Sequence, residues 1–234
     1  MAGAWSLPLE TFNPNRWPDP PDWFNLPFTP CESNGVSIGH HKGGFALHGP
    51  DSVHIGIWMG TSWACIAELL SQVDAARGRV LCTGLGLGLV PMLAAMKDDV
   101  DSVTVIENDP DVIALFDRQG FVVPKLSIVL GDADTHADGP YDAVLLDHYN
   151  GYAVMGAREI AAAAAKVLRN TGSTMAVPFR WTEFPDHDWS ALGMPAWSSQ
   201  ELTTYCDAYN LAVGRIPAVV ADLKKIEASR CTSS

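Results

Sequence analysis

Three carboxylates and a histidine carry the most legible chemistry in this chain: Glu107, Asp132, Asp147 and His148. Each stands at the end of a short apolar run: Ser102-Val-Thr-Val-Ile-Glu107, Leu126-Ser-Ile-Val-Leu-Gly131-Asp132, and Tyr141-Asp-Ala-Val-Leu-Leu-Asp147-His148. An acid at the end of a buried strand can accept from hydroxyl or amino donors of a ligand lying across the strand ends. A fourth run, Val80-Leu-Cys-Thr-Gly84-Leu-Gly86-Leu-Gly88, ends in alternate glycines, where a backbone can approach a ligand closely. Glu107 follows this loop at about the 20-residue spacing of a ribose-binding acid. The order strand, glycine turn, helix, strand, acid is that of a nucleoside pocket.

The spacing also narrows the ligand. A dinucleotide fingerprint would place its third glycine where this chain has Leu89, and no Lys-Ser/Thr pair follows the loop to hold phosphates. The ligand is therefore expected to carry a ribose and little or no phosphate. Other acids nearby have simpler readings. Asp109 and Asp111 suit the first turn of the next helix, where negative charge is favoured, and Asp142 reads as a surface residue at a strand edge.

With these residues in place, segment 79–150 resembles the class I S-adenosylmethionine (SAM) dependent methyltransferases. The resemblance implies a Rossmann-like, doubly wound, mainly parallel α/β sheet, with the glycine loop beside the methionine end of SAM and Glu107 on both ribose hydroxyls. It implies that Asp132 accepts from the adenine amino group. The expected cofactor-binding set is Thr83, Gly84, Gly86, Gly88, Glu107, Asn108, Asp132, Ala133 and Asp147.

The loop Asp147-His148-Tyr149-Asn150 supplies the expected catalytic set. A similar Leu-Asp-His-aromatic stretch follows the fourth strand in catechol-type O-methyltransferases, where the Asp binds a divalent metal, the His packs near adenine and a downstream Lys is the base. Here Asn150 stands where that lysine is expected, and Val177-Pro178-Phe179 replaces the acid-amide metal pair. One carboxylate does not make a magnesium site, so no catalytic metal is expected; Asp147 is read as facing the amino group of SAM. His148 is either a general base, since its ordinary pKa lies near neutrality, or a packed core histidine. Asp186-His187-Asp188, in a proline-flanked loop, reads as a turn, and neither it nor His40-His41 is read as a metal site. Tyr149, Tyr152, Phe179, Trp181 and the N-terminal aromatics suggest an aromatic-lined pocket for a small or apolar substrate, where cation–π contact and positioning assist an in-line displacement.

Other chemistries stay open. The approach Ile57-Trp-Met-Gly-Thr61 into Thr83-Gly-Leu-Gly-Leu-Gly88 is similar to spermidine-synthase-like proteins, which transfer an aminopropyl group. Their acidic Asp-Ser/Thr-Ser/Thr-Asp loop is missing. An intramolecular variant would close SAM to azetidine-2-carboxylate and release methylthioadenosine. A non-catalytic SAM-binding module is the third reading. Glu107→Ala is expected to abolish nucleoside binding with the fold intact.

These residues need elements to hold them. At 234 residues the chain can bury one good core. Its 47% apolar and 18% charged composition describes a globular protein. Residues 1–60 form an expected arm or lid, rich in proline and aromatics over 1–30 and β-like over Gly44–His48 and Ser52–Trp58; residues 61–234 form the SAM-binding domain. A helix is expected from Thr61 or Ser62 to about residue 77, another over Arg158–Leu168 stopped by Asn170-Thr-Gly172, and a fifth strand over Ser173–Phe179. Region 180–197 reads as irregular, followed by a helix from Ser198 and a last one from Pro217 to near Ser229. The usual antiparallel sixth and seventh strands are hard to find, so a modified C-terminal sheet edge is expected. The net charge of −12, from 15 basic against 27 acidic residues, disfavours nucleic acid. No apolar stretch spans a bilayer and no signal-peptide pattern opens the chain, so no membrane association is expected. The five cysteines are odd in number and scattered, and Cys65 and Cys82 read as reduced residues of a cytoplasmic protein. The expected partners are a small-molecule substrate, or none beyond SAM, with the chain acting alone or as a homodimer.

Overall fold

The computed structural model describes residues 28–41, 44–50, 57–60, 69–70, 72–148, 157–178, 215 and 218–228. Two sheets organise them. The larger has the strands β5 (Gly78–Thr83), β6 (Val100–Glu107), β7 (Leu126–Leu130), β8 (Ala143–Leu146) and β9 (Ala176–Pro178), all parallel, in the order β7-β6-β5-β8-β9. Helix α1 (Leu89–Ala95) connects β5 to β6, α2 (Pro110–Arg118) connects β6 to β7, and α3 (Ala157–Thr171) lies between β8 and β9. The chain thus builds outward from β5 in one direction through β7, then returns to β8 on the other side. That reversal between β5 and β8 is the switch point of a doubly wound sheet, where ligands lie across the carboxyl ends of the strands. The expected Rossmann-like architecture is present.

The sequence reasons are direct. Central strands covered on both faces need continuous apolar runs, and β8, Ala-Val-Leu-Leu, is buried at every position. Alternation sorts the side chains between two cores. Leu81, Ile106, Val144 and Leu146 meet Val167 of α3 on one face. Val80, Cys82, Val103, Val105, Ala143 and Leu145 face α1, α2, helical residues 69–70 and 72–75 and helical residues 218–228 on the other. All seven residues of α1 are buried, as expected of a helix that is apolar all round. For α2, Asp109 caps the helix by accepting from the Asp111 N–H at 2.8 Å, Pro110 occupies the first turn, and Arg118 sits in the last. Both readings hold: Asp109 is the cap, and Asp111 places its charge in the first turn.

The smaller sheet is an antiparallel meander of β1 (Cys31–Ser33), β2 (Val36–His41), β3 (Gly44–His48) and β4 (Ile57–Gly60). Its first hairpin closes on Asn34-Gly35, both at positive φ, a two-residue turn signal in the sequence that the β-like runs alone did not reveal. The Asp111 carboxylate accepts from Ser33 Oγ at 2.7 Å and Asn34 Nδ2 at 2.8 Å, tying this turn to α2. Gln119 makes a strand-like pair with Thr29: its Oε1 accepts from the Thr29 N–H at 2.7 Å and its Nε2 donates to the Thr29 carbonyl at 3.0 Å. Phe28 fills the gap beneath, with ring centroids 5.7 Å from both Phe45 and Phe121.

Two boundaries differ from expectation. Helix α3 continues to Thr171, whose hydroxyl donates to the Val167 carbonyl at 2.9 Å. The fifth strand starts only at Ala176, because the Ser173 hydroxyl is held in a turn by the Thr171 hydroxyl at 2.8 Å and the Tyr141 N–H at 2.9 Å. The expected arm over 1–27, the helix start at residues 61–68, the region 180–197, the helix from Ser198 and the modified sheet edge lie outside the described residues. Among the described residues, no helix is long and apolar enough to cross a membrane.

Candidate functional site

The carboxyl ends of β5, β6 and β8 bring Thr83, Gly84, Glu107, Asp147 and His148 together. Glu107 closes β6, is 8% exposed, and uses its two carboxylate oxygens separately. Oε2 accepts from the Leu85 N–H of the glycine loop at 2.8 Å, and Oε1 accepts from the Asp109 N–H at 2.9 Å. This acid therefore shapes the loop that it is expected to share with a ligand. Each oxygen keeps a further lone pair for a donor.

The glycines answer to protein contacts as well. Gly84 has φ +90°, and a Cβ there would run into the carbonyl oxygen of Asp147. Gly88 has φ +78°, and a Cβ there would run into the Phe116 ring. At Gly86 the neighbour is Met59 of β4, whose sulfur also accepts from the Leu87 N–H at 3.1 Å. The small sheet thus reaches the glycine loop through a thioether.

Asp147 follows β8. Its N–H donates to the Thr83 carbonyl at 3.0 Å and to the Thr83 hydroxyl at 3.1 Å, extending the β5–β8 pairing beyond the last strand residue. Its carboxyl is pushed up to about 8, first by burial and then by the Glu107 charge. Two acids thus share this end of the sheet, and the neutral form of Asp147 is favoured until a positive charge arrives. The same face holds Cys82, whose thiol is pushed up by burial and by Asp147.

His148 reaches Thr83 and the turn after β7. Nδ1 lies 2.7 Å from the Thr83 hydroxyl, and Nε2 lies 3.6 Å from Asp134 Oδ1. Burial holds the imidazole below its usual pKa, while Asp134 and Asp132 oppose that shift. Asp134 is in turn gripped by Lys166 Nζ at 2.8 Å, which keeps its carboxyl below the usual range.

The remaining expected residues are more dispersed. Asn108 is exposed beside Glu107, and Ala133 is buried. Asp132 is exposed, and its Oδ1 accepts from the Asp134 N–H at 2.8 Å, forming the turn that follows β7. Tyr149, Asn150, Tyr152, Phe179 and Trp181 lie outside the described residues, as do Cys65 and Asp186-His187-Asp188. Among the described residues, no group of three His, Cys, Asp or Glu side chains is placed to hold a metal ion.

Two residues near the site had gone unread. Asp134 stands two positions after Asp132, and only the fold brings it to His148. Gln72 is fully buried and donates through Nε2 to the carbonyls of Leu146 at 3.2 Å and Val177 at 3.1 Å, clasping the ends of β8 and β9. Its signal was available: a polar residue three positions after Leu69, on an otherwise apolar helical stripe.

No family model matches this sequence, and neither does any curated protein. Solved structures match in fold. A spermidine synthase in complex with the transition-state analogue AdoDATO is 16% identical, covering 61% of this chain and 53% of its own, with a TM-score of 0.39. The spermidine synthase of Thermotoga maritima is 17% identical over 51% and 47%, with a TM-score of 0.34. A TehB-like SAM-dependent methyltransferase from Corynebacterium glutamicum is 19% identical over 61% and 70%, with a TM-score of 0.35. This chain spans about half the length of the two synthases. Likeness at this level concerns the fold alone; strand order and the groups at the carboxyl edge make this chain a Rossmann-like α/β protein with an acid-lined switch point.

Proposed function

We propose that this protein is a SAM-dependent transferase acting on a small molecule, with metal-independent methyl transfer as its reaction. The observation that carries this reading is Glu107, a buried carboxylate at the end of β6 that accepts from the glycine loop at 2.8 Å and keeps lone pairs for ribose hydroxyls. Asp147 supports it independently. A sulfonium or ammonium cation brought beside the Glu107–Asp147 pair offsets the burial of their charge, so a cationic nucleoside suits this site better than a neutral or phosphorylated one. Binding would ionise Asp147 and release its proton. When bound, SAM supplies a carbon already activated for displacement by its sulfonium. The chain's own residues then orient it: Glu107 at the ribose, the glycine loop and Asp147 at the amino-acid end, His148 beside the Asp132–Asp134 turn. Metal independence rests on the single carboxylate after β8, where a magnesium ion would need several oxygens.

Attack at a different carbon of the same sulfonium is the second reading, in keeping with Asn150 standing where catechol-type O-methyltransferases have a lysine base. Aminopropyl-type transfer or cyclisation would release methylthioadenosine. Incubation with SAM alone, then with candidate acceptors, separates the two. S-adenosylhomocysteine is the expected product; methylthioadenosine would move the assignment to the second reading, and failure to bind SAM would end both. The companion variant Glu107→Ala is expected to abolish nucleoside binding, but not silently. It removes the acceptor of two backbone N–H groups, so a stability loss of about 3 kcal/mol accompanies it. Binding by calorimetry is therefore read together with thermal unfolding, and retained SAM affinity in a folded variant would remove Glu107 from the site.

A further inference from the structure

The proton positions around His148 can be counted. Thr83 is fully buried, and its hydroxyl has one proton to give and two lone pairs. The Asp147 N–H takes one lone pair at 3.1 Å. Among the described residues, the acceptor within reach of the hydroxyl proton is His148 Nδ1 at 2.7 Å. With Nδ1 accepting, a neutral imidazole carries its proton on Nε2, which faces Asp134 Oδ1 at 3.6 Å. That oxygen is a buried acceptor with no hydrogen bond of its own. Its position is set from several sides: Lys166 Nζ holds the other oxygen at 2.8 Å, Asn170 Nδ2 donates to the Asp134 carbonyl at 2.8 Å, and the Asp134 N–H is held by Asp132.

We propose that Thr83 and Asp134 clamp His148 from its two ring nitrogens, so that this histidine holds its Nε2 proton toward Asp134 and does not serve the site as its proton acceptor. Asp134 and Thr83 are positioning residues in this scheme, and Lys166 sets how strongly Asp134 pulls. Among the described residues, the charged groups that face the ring include Asp134, Asp132 and Lys166; Asp147 is linked to it through Thr83. Both nitrogens are already committed: one lone pair is filled by the Thr83 proton, and the other nitrogen bears a proton. A nucleophile that must lose a proton cannot give it to His148. It has to bind deprotonated or lose its proton elsewhere. That the proton acceptor being excluded is one for a bound nucleoside's reaction rests on the transferase reading above, whereas the proton arrangement does not.

Long-range proton–nitrogen correlation on the full chain labelled with 15N-histidine tests it, with the His148 signal assigned by its loss in His148→Gln. The expected spectrum shows an unprotonated Nδ1 and a protonated Nε2 at neutral pH. Asp134→Asn should lower the titration midpoint of His148 by about one unit, and Lys166→Met should raise it, because the two charges act in opposite senses. Structural damage alone would not produce shifts of opposite sign. A proton on Nδ1, a signal averaged between tautomers, or a midpoint indifferent to Asp134→Asn would overturn the clamp. If SAM fails to bind, the transferase reading falls while the spectrum still decides the clamp.

Discussion

At the scale of single residues, Asp147 is the most consequential. Its carboxyl is raised to about 8 in the folded chain, against about 3.9 in an unfolded one. Between these values the folded state holds a proton that the unfolded state releases. Stability therefore falls as pH rises from about 4 to about 8, in the direction opposite to a salt-bridged acid. Asp147→Asn removes this dependence. The variant should match the parent near pH 4 and exceed it at pH 8 by several kcal/mol, about 5 if the full shift is lost, read as the difference between two urea-unfolding series. Equal stability at both pH values would mean that the carboxyl is hydrated and not buried. The position of Asp147 after an apolar strand was legible in the sequence, but its burial beside Glu107 was not, because the two acids meet only once β6 and β8 flank β5.

At the scale of elements, the glycine loop does two jobs. Alternate glycines leave room for a ligand, and the fold adds that Gly88 gives room to Phe116 of α2. With φ at +78° and an aromatic ring against its Cα, Gly88→Ala combines backbone strain with overpacking. A loss of about 3 kcal/mol in urea unfolding is expected, and the double variant Gly88→Ala with Phe116→Leu should recover part of it. No recovery would show that the strain is the backbone's alone. Helix α2 was the most readable element, since Asp109, Pro110 and Arg118 mark its ends by local chemistry. The end of α3 and the start of β9 were less so, because Thr171 and Ser173 are held there by partners in the turn and in Tyr141.

For the whole molecule, the small sheet shares the main core with the larger one through Phe28, Val36, Ile38, Phe45 and Leu47, and a few polar contacts fix its placement. Gln119 satisfies both backbone groups of Thr29, and Asp111 accepts from the Asn34 turn. Gln119→Met leaves the Thr29 N–H and carbonyl without these partners, at a cost of about 2 kcal/mol. Hydrogen exchange in β1 and β2 should speed up while that of β5 is unchanged. A uniform change across both sheets would mean that they unfold as one unit. Because Met59 of β4 contacts the glycine loop, the docking also bears on the site.

The sequence by itself determined what local order can encode: apolar strands ending in acids, a glycine turn of non-dinucleotide spacing, helix caps, and an acidic balance of charge. Those features depend on neighbours a few residues apart. The tertiary structure alone decided that Glu107 bonds the glycine loop, that Met59 reaches it from another sheet, that Gln72 clasps two strand ends, and that His148 stands between Thr83 and Asp134. Each of these contacts joins residues remote in the chain. Strand order and the side on which each helix packs bring them within hydrogen-bonding reach, and no local pattern records that arrangement.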